Sequence, residues 1–157
     1  MSSRESPALR AMGVMNWGEM MADLGRAVRP GSPRTVLAVF GFSGLKDHLE
    51  TLSTPEGDTL LERLGARLTE AVRGKARVYA PRRGEFCSLF DGDLGSGWVT
   101  VPAALDEEAA LIGVNTSSTI VVLPGEASTP TGAMRLANHR LEAQSPVRGA
   151  ELRPGRV

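Results

Sequence analysis

The sequence predicts an α/β fold of the α+β kind, with a central mixed sheet flanked by helices and one β-hairpin, and three observations carry that prediction. The run Thr35 to Phe40 is short, β-branched and apolar without alternation, as a strand covered on both faces must be. Leu60, Leu61, Leu64, Leu68 and Val72 form one stripe at helical period, and Met20, Met21, Leu24 and Val28 form another. Two apolar runs on either side of Pro81, Arg82, Arg83 and Gly84 read as a hairpin. At 157 residues the chain suits one domain with a real core.

Taken in order, the first helix runs from Asn16 to Val28 and stops at Pro30 and Gly31, with methionines filling gaps in its buried stripe. The strand at Thr35 turns at Gly41 and Gly44, and Leu45 to Leu52 is a short helix. Thr54 as N-cap and Pro55 at the first helical position open a long helix that Gly74 closes. The hairpin strands are Ala76 to Ala80 and Glu85 to Phe90, and Asp91 to Gly97 is a glycine-rich loop. Trp98 to Leu111 reads as a short helix around Pro102, Ile112 to Leu123 as a strand, and Thr129 with Pro130 as the start of a last helix. No internal repeat interrupts this order.

Composition narrows the function. Lys plus Arg and Asp plus Glu number 18 each, so no global field draws the chain to nucleic acid or anionic lipid. Aromatic content of 4% leaves few stacking platforms, a second argument against nucleic acid. Nothing approaches the roughly 18 consecutive apolar residues that span a bilayer, and the N-terminus lacks a secretory pattern, so a cytoplasmic address is expected. Cys87 is the single cysteine, and with only His48 and His139 beside it a zinc site is not supported. It reads as a buried strand residue.

Three separated stretches together resemble the GGDEF family of diguanylate cyclases. Arg82, Arg83, Gly84, Glu85 and Phe86 stand as a degenerate copy of the signature at the hairpin tip. Gly41 to Lys46 and Ser53 to Asp58 resemble the strand, acidic turn, short helix and "GHxxGD" turn, at a fitting distance from the tip. Ser118 to Pro124 and Ala133 to Gln144 resemble the closing strand and its "ADxALYxAK" helix, and Val14 to Asn16 echoes the "TGLxNRR" segment. The resemblance implies a GGDEF domain over residues 14–148, with tails at 1–13 and 149–157.

The family joins two GTP molecules, with divalent metals held by oxygen ligands stabilising the developing charge. The resemblance places those ligands at Gly41, Ser43 and Gly84, none of which is a carboxylate. Where the family has two glycines that let backbone amides approach phosphate, this chain has Arg82 and Arg83. Those arginines read as a solvated basic turn, or as a grip on phosphate or on a partner's carboxylate. Phe86 reads as core, and Glu85 as a surface strand residue or a site residue.

By the same resemblance Asp58 stands at the guanine-recognition position, although its companion asparagine is Leu49. An acid in the first turns of a helix also favours the dipole by itself. Lys46 matches the "FK" lysine and Arg148 a phosphate-contacting arginine, while the lysine before it falls at Gln144. Of the inhibitory RxxD motif Arg73 survives and Ala76 replaces the aspartate.

The expected function is a catalytically inactive GGDEF-like regulatory or interaction domain, with weak guanine-nucleotide binding as a possible remnant. The alternative is an active cyclase or related GTP-using enzyme built on Glu85 and Asp58, with Asp91 and Asp93 as further acids by proximity. No cofactor is expected, and Mg only if activity remains. A protein, GTP or cyclic di-GMP are the partners to consider, no membrane is implied, and the oligomeric state stays open.

Overall fold

The computed structural model describes residues 6–92, 94, 98 and 100–144. In chain order the elements are α1 (Pro7–Ala11), α2 (Trp17–Ala27), β1 (Thr35–Ser43), α3 (Leu45–Glu50), α4 (Thr54–Ala71), β2 (Ala76–Tyr79), β3 (Phe86–Asp91), α5 (Thr100–Ala110), β4 (Asn115–Leu123) and α6 (Pro130–Gln144). The strands form one sheet in the order β2, β3, β1, β4. Each neighbouring pair is antiparallel, and the parallel pairing among the described residues is an isolated bridge between Met15 and Tyr79. The sheet expected as mixed is therefore an antiparallel one with a single parallel bridge at its β2 edge.

β1 lies at the centre, paired along its whole length with β4 and over Thr35 to Phe40 with β3. Pleating sends Val36, Ala38 and Phe40 to one face and Leu37 and Val39 to the other. The first set packs against Leu60, Leu64 and Leu68 of α4 and Val101 and Leu105 of α5. The second meets Met20 and Leu24 of α2 and Ala133 and Ala137 of α6. Two helix layers thus enclose one sheet, which is why β1 is apolar at consecutive positions.

Local chemistry fixes the helix ends. In α2 the Asn16 side chain accepts from the Glu19 N–H while the Glu19 carboxylate accepts from the Asn16 N–H, a reciprocal cap. α4 opens the same way through Ser53 and Glu56, so its cap falls one residue before the expected Thr54. The Ser53 hydroxyl suits this because the Glu three positions on completes the box. At α6 the Thr129 hydroxyl accepts from Gly132 N–H, as the Thr-Pro opening predicts. Gly113 takes a φ of 76° after α5, which delays the last strand to Asn115 rather than Ile112.

One expectation is overturned at the N-terminus. Residues 6–13, read as part of a tail, include helix α1, whose N-cap is Ser6. Leu9 packs against the core where Gly65 of α4 has no side chain; a Cβ on Gly65 would meet the Leu9 side chain. Arg10 also grips Glu19 with both guanidinium nitrogens, at 2.5 and 2.7 Å. A five-residue helix has too little periodicity to be read from sequence, and its anchors lie far along the chain. Residues 149–157 lie outside the described residues.

At the β4 edge, Arg140 donates to the Ile120 carbonyl at 2.7 Å and pairs with Glu126 at 2.8 Å, while Glu126 accepts from Val122 N–H at 2.8 Å. The Arg140 hydrogen bond, then the Val122 N–H, hold the Glu126 carboxyl at about 2, below its ordinary 4.5. A depressed folded-state pKa adds stability that is complete above 4.5 and disappears as pH falls toward 2. Replacing Glu126→Gln should accordingly flatten the loss of stability across that interval, measured by denaturant unfolding at a series of pH values.

Candidate functional site

The site begins where β1 leaves the sheet. Gly41 and Ser43 are its last residues but two and its last, paired with Ser117 and Asn115 of β4. A Cβ on Gly41 would stand 3.2 Å from Ser117 Oγ and 3.6 Å from Leu141 Cδ1, so the strand and α6 close over that position. Gly44 then turns the chain with a φ of 91° into α3, which carries Lys46 and Leu49.

Opposite stands the hairpin tip. Glu85 N–H donates to the Arg82 carbonyl at 3.0 Å, closing a four-residue turn in which Gly84 has a φ of 83°. That value at the third turn position is what a type II turn requires and what glycine supplies. A Cβ there would also lie 3.4 Å from Leu45 Cδ2. Phe86 is buried as expected, paired with Phe40 in the sheet and edge-on to Phe42.

The fold brings Gly41, Lys46, Leu49, Arg83, Gly84 and Glu85 around one cavity of about 660 Å³. Its walls also include Phe40, Phe42, Leu45, Leu52 and Leu141, an apolar surround with charged groups at intervals. Asp58 is in the first turns of α4 and lines a second, larger groove of about 1530 Å³ instead. Arg83 belongs to both. Its guanidinium reaches across to Asp58 at 2.5 Å, and its other nitrogen lies 2.7 Å from where a Cβ on Gly57 would be. Arg83 is therefore a partition between the two spaces, seated in a notch that exists because residue 57 is glycine.

Other residues singled out in the sequence fall elsewhere. Arg73 sits in the turn after α4, with Ala76 at the start of β2. Asp91 ends β3 five residues from Phe86, on the order of 17 Å away along the strand, and pairs with Arg77 at 3.5 Å. It does not join Asp58 or Glu85 in a common site. Asp93 and Arg148 lie outside the described residues. Among those described, no group of three or more His, Cys, Asp or Glu side chains is placed to hold a metal ion. Burial pushes the Cys87 thiol well above its ordinary pKa, as fits a core strand residue.

The structure also adds a contact that sequence reading missed. Arg82 lies over the ring of Trp17, 5.8 Å from its centroid, and is also 3.8 Å from Glu85. Trp17 is the first residue of α2, 42% exposed, and no spacing rule links it to a residue 65 positions away.

No family model and no curated protein matches the sequence. Solved structures do match in shape. The GGDEF domain of DgcB from Caulobacter crescentus, solved with c-di-GMP, superposes with a TM-score of 0.67 over 94% of each chain at 19% identity. The chain has the GGDEF fold. The GGDEF domain of TpbB, also called YfiN, from Pseudomonas aeruginosa gives a TM-score of 0.64 over 90% of each chain at 17% identity. The diguanylate cyclase SiaD of the same organism, solved with its activator SiaC, gives 0.68 over 88% of this chain and 56% of that one at 16% identity. No helix among the described residues is long and apolar enough to cross a membrane.

The hairpin tip of this GGDEF fold yields a stability test. Any side chain at Gly84 must adopt the left-handed conformation, so Gly84→Ala should cost about 1–2 kcal/mol in denaturant unfolding.

Proposed function

We propose that this chain is a catalytically inactive GGDEF-fold domain that works by interaction with another protein. The observation that carries the reading is the composition of the 660 Å³ cavity at β1, α3 and the hairpin tip. Where the family resemblance puts metal-ligating carboxylates, this chain has Gly41, Ser43 and Gly84. A carboxylate at 84 would have to enter a left-handed turn beside Leu45, and one at 41 would have its Cβ 3.2 Å from the Ser117 hydroxyl, which would need to give way slightly. A divalent metal needs oxygen ligands, and with Gly41, Ser43 and Gly84 at the expected positions the cationic Lys46 and Arg83 in this cavity offer none.

Asp58 adds support. Its carboxylate is the group the resemblance assigns to guanine, and Arg83 already occupies it. Leu49, without hydrogen-bonding atoms, stands in place of the second recognition residue. Weak guanine-nucleotide binding would have to displace that ion pair. SiaD was solved with a protein activator and DgcB with c-di-GMP. DgcB matches over 94% of its chain and SiaD over 56%, and the lack of carboxylates at Gly41, Ser43 and Gly84 is what favours a protein over a metal-bound nucleotide here.

Incubating the purified chain with GTP and Mg²⁺ or Mn²⁺ should give no cyclic di-GMP by chromatography; its appearance would overturn the inactive-domain reading. Calorimetry should likewise detect no heat from GTP or cyclic di-GMP at sub-millimolar protein. Introducing Gly41→Asp and Ser43→Asp together with Arg82→Gly and Arg83→Gly, while leaving Gly84 in its turn, should confer measurable Mg²⁺-dependent GTP binding. No gain would count against the residue correspondence.

A further inference from the structure

The Arg82–Arg83 tip, Trp17 and the larger groove form a surface that the cavity at β1 does not explain. The groove, about 1530 Å³, runs from the hairpin tip between α1, the start of α2 and the start of α4. Its floor includes Leu9, Val14, Met15, Leu61 and Pro81, apolar groups that a peptide's side chains can cover. One lip carries the two arginines, whose side chains are 68% and 50% exposed. Each is held by a single exposed acid, Arg82 by Glu85 at 3.8 Å and Arg83 by Asp58 at 2.5 Å.

Exposed pairs of this kind contribute little, because water screens the charges and two long side chains must be held still. Arg83 has a further disadvantage. Its cation rests beside the first turns of α4, the positive end of an 18-residue helix. A carboxylate arriving from outside can therefore exchange for Glu85 or Asp58 on either guanidinium at small cost. Trp17 holds Arg82 over its face, so that guanidinium is already positioned at the mouth of the groove. Both arginines are paired with carboxylates in this structure, the group that an acidic segment supplies.

We propose that this groove docks an acidic segment of a protein partner, whose carboxylates take Arg82 and Arg83 from Glu85 and Asp58 while its apolar side chains lie along the floor. Asp58 is then an internal competitor for the incoming acid, and Arg83 is the latch it holds. The inference rests on the interaction-domain reading and names the chemistry of the partner.

A random peptide library displayed on phage and selected on the purified full chain provides the probe. Selected peptides should be enriched in two nearby acids with an aliphatic or aromatic residue beside them. A synthetic copy should lose about tenfold or more in affinity with Arg82→Gln or Arg83→Gln, the worth of one charge-assisted hydrogen bond. Asp58→Asn should tighten binding about two- to fivefold, the worth of an exposed pair. Gly57→Ala should do the same without altering any charge, because its methyl displaces the Arg83 guanidinium from the notch. Glu142→Gln removes an exposed acid on α6, which lines neither groove, so it should leave affinity unchanged.

Selected peptides without acidic bias would overturn the proposal, as would equal tightening by Asp58→Asn and Glu142→Gln, which would mean general charge attraction. Concentration-dependent dimerisation abolished by Arg82→Gln would overturn it in favour of a second copy of the chain. Selective displacement of the peptide by inorganic pyrophosphate but not by excess glutamate would overturn it in favour of a phosphate ligand. None of these outcomes touches the cyclase assay, so failure here leaves the inactive-domain reading standing, and product in that assay would remove it whatever the peptides do. Circular dichroism of each variant keeps loss of fold apart from loss of binding.

Discussion

Burial of β1 on both faces is the constraint from which the rest of the molecule follows. Thr35 to Phe40 are buried at six successive positions, and β1 supplies the partner for both β3 and β4. A strand so placed must be apolar throughout, must be covered by helices above and below, and must bring its C-terminal end out at the boundary between them. Gly41 to Ser43 are that end, where burial gives way to exposure. The cavity forms there because the hairpin tip, anchored by Phe86 against Phe40, is held to the same edge.

That arrangement separates architecture from chemistry. Phe86 keeps its place because its ring fills the core, whatever the neighbouring turn residues do. Gly84 keeps its place because the turn needs a positive φ. Between core and turn, the residues that reach solvent are free to change without cost to the fold. Arg82 and Arg83 are such residues: one rests on Trp17, the other in the notch over Gly57, and neither supports the sheet. A GGDEF fold thus rests on its core and turn, not on the groups exposed at the hairpin tip.

The long elements were legible in the sequence because periodicity and punctuation act locally. The stripe Leu60 to Val72, the strand Thr35 to Phe40 and the glycine stops needed no tertiary information. Helix α1 was not legible, since five residues carry little pattern and their anchors, Gly65 and Glu19, lie elsewhere in the chain. The hairpin reading did fix β2 and β3 as antiparallel, but the directions in which β1 pairs with β3 and β4 were hidden for the same reason. Apolar runs tell that a strand is buried, while its neighbours' orientation depends on how the connections cross.

For the site, the sequence by itself determined an adjacent arginine pair, Arg82 and Arg83, at the positions where the resemblance expects the two glycines of the signature. It also placed that pair at a hairpin tip, because Pro81 to Gly84 between two apolar runs specifies a turn. Only the tertiary structure decided what the arginines do there. Trp17 and Asp58 are both remote from them along the chain: Trp17 touches Arg82 where the Met15 bridge ties the start of α2 to β2, and Asp58 touches Arg83 where α4 packs beside the hairpin tip. Contacts of that kind arise from packing of whole elements, which no local pattern of residue types records, and they turn the basic tip from a solvated turn into a partition between two grooves.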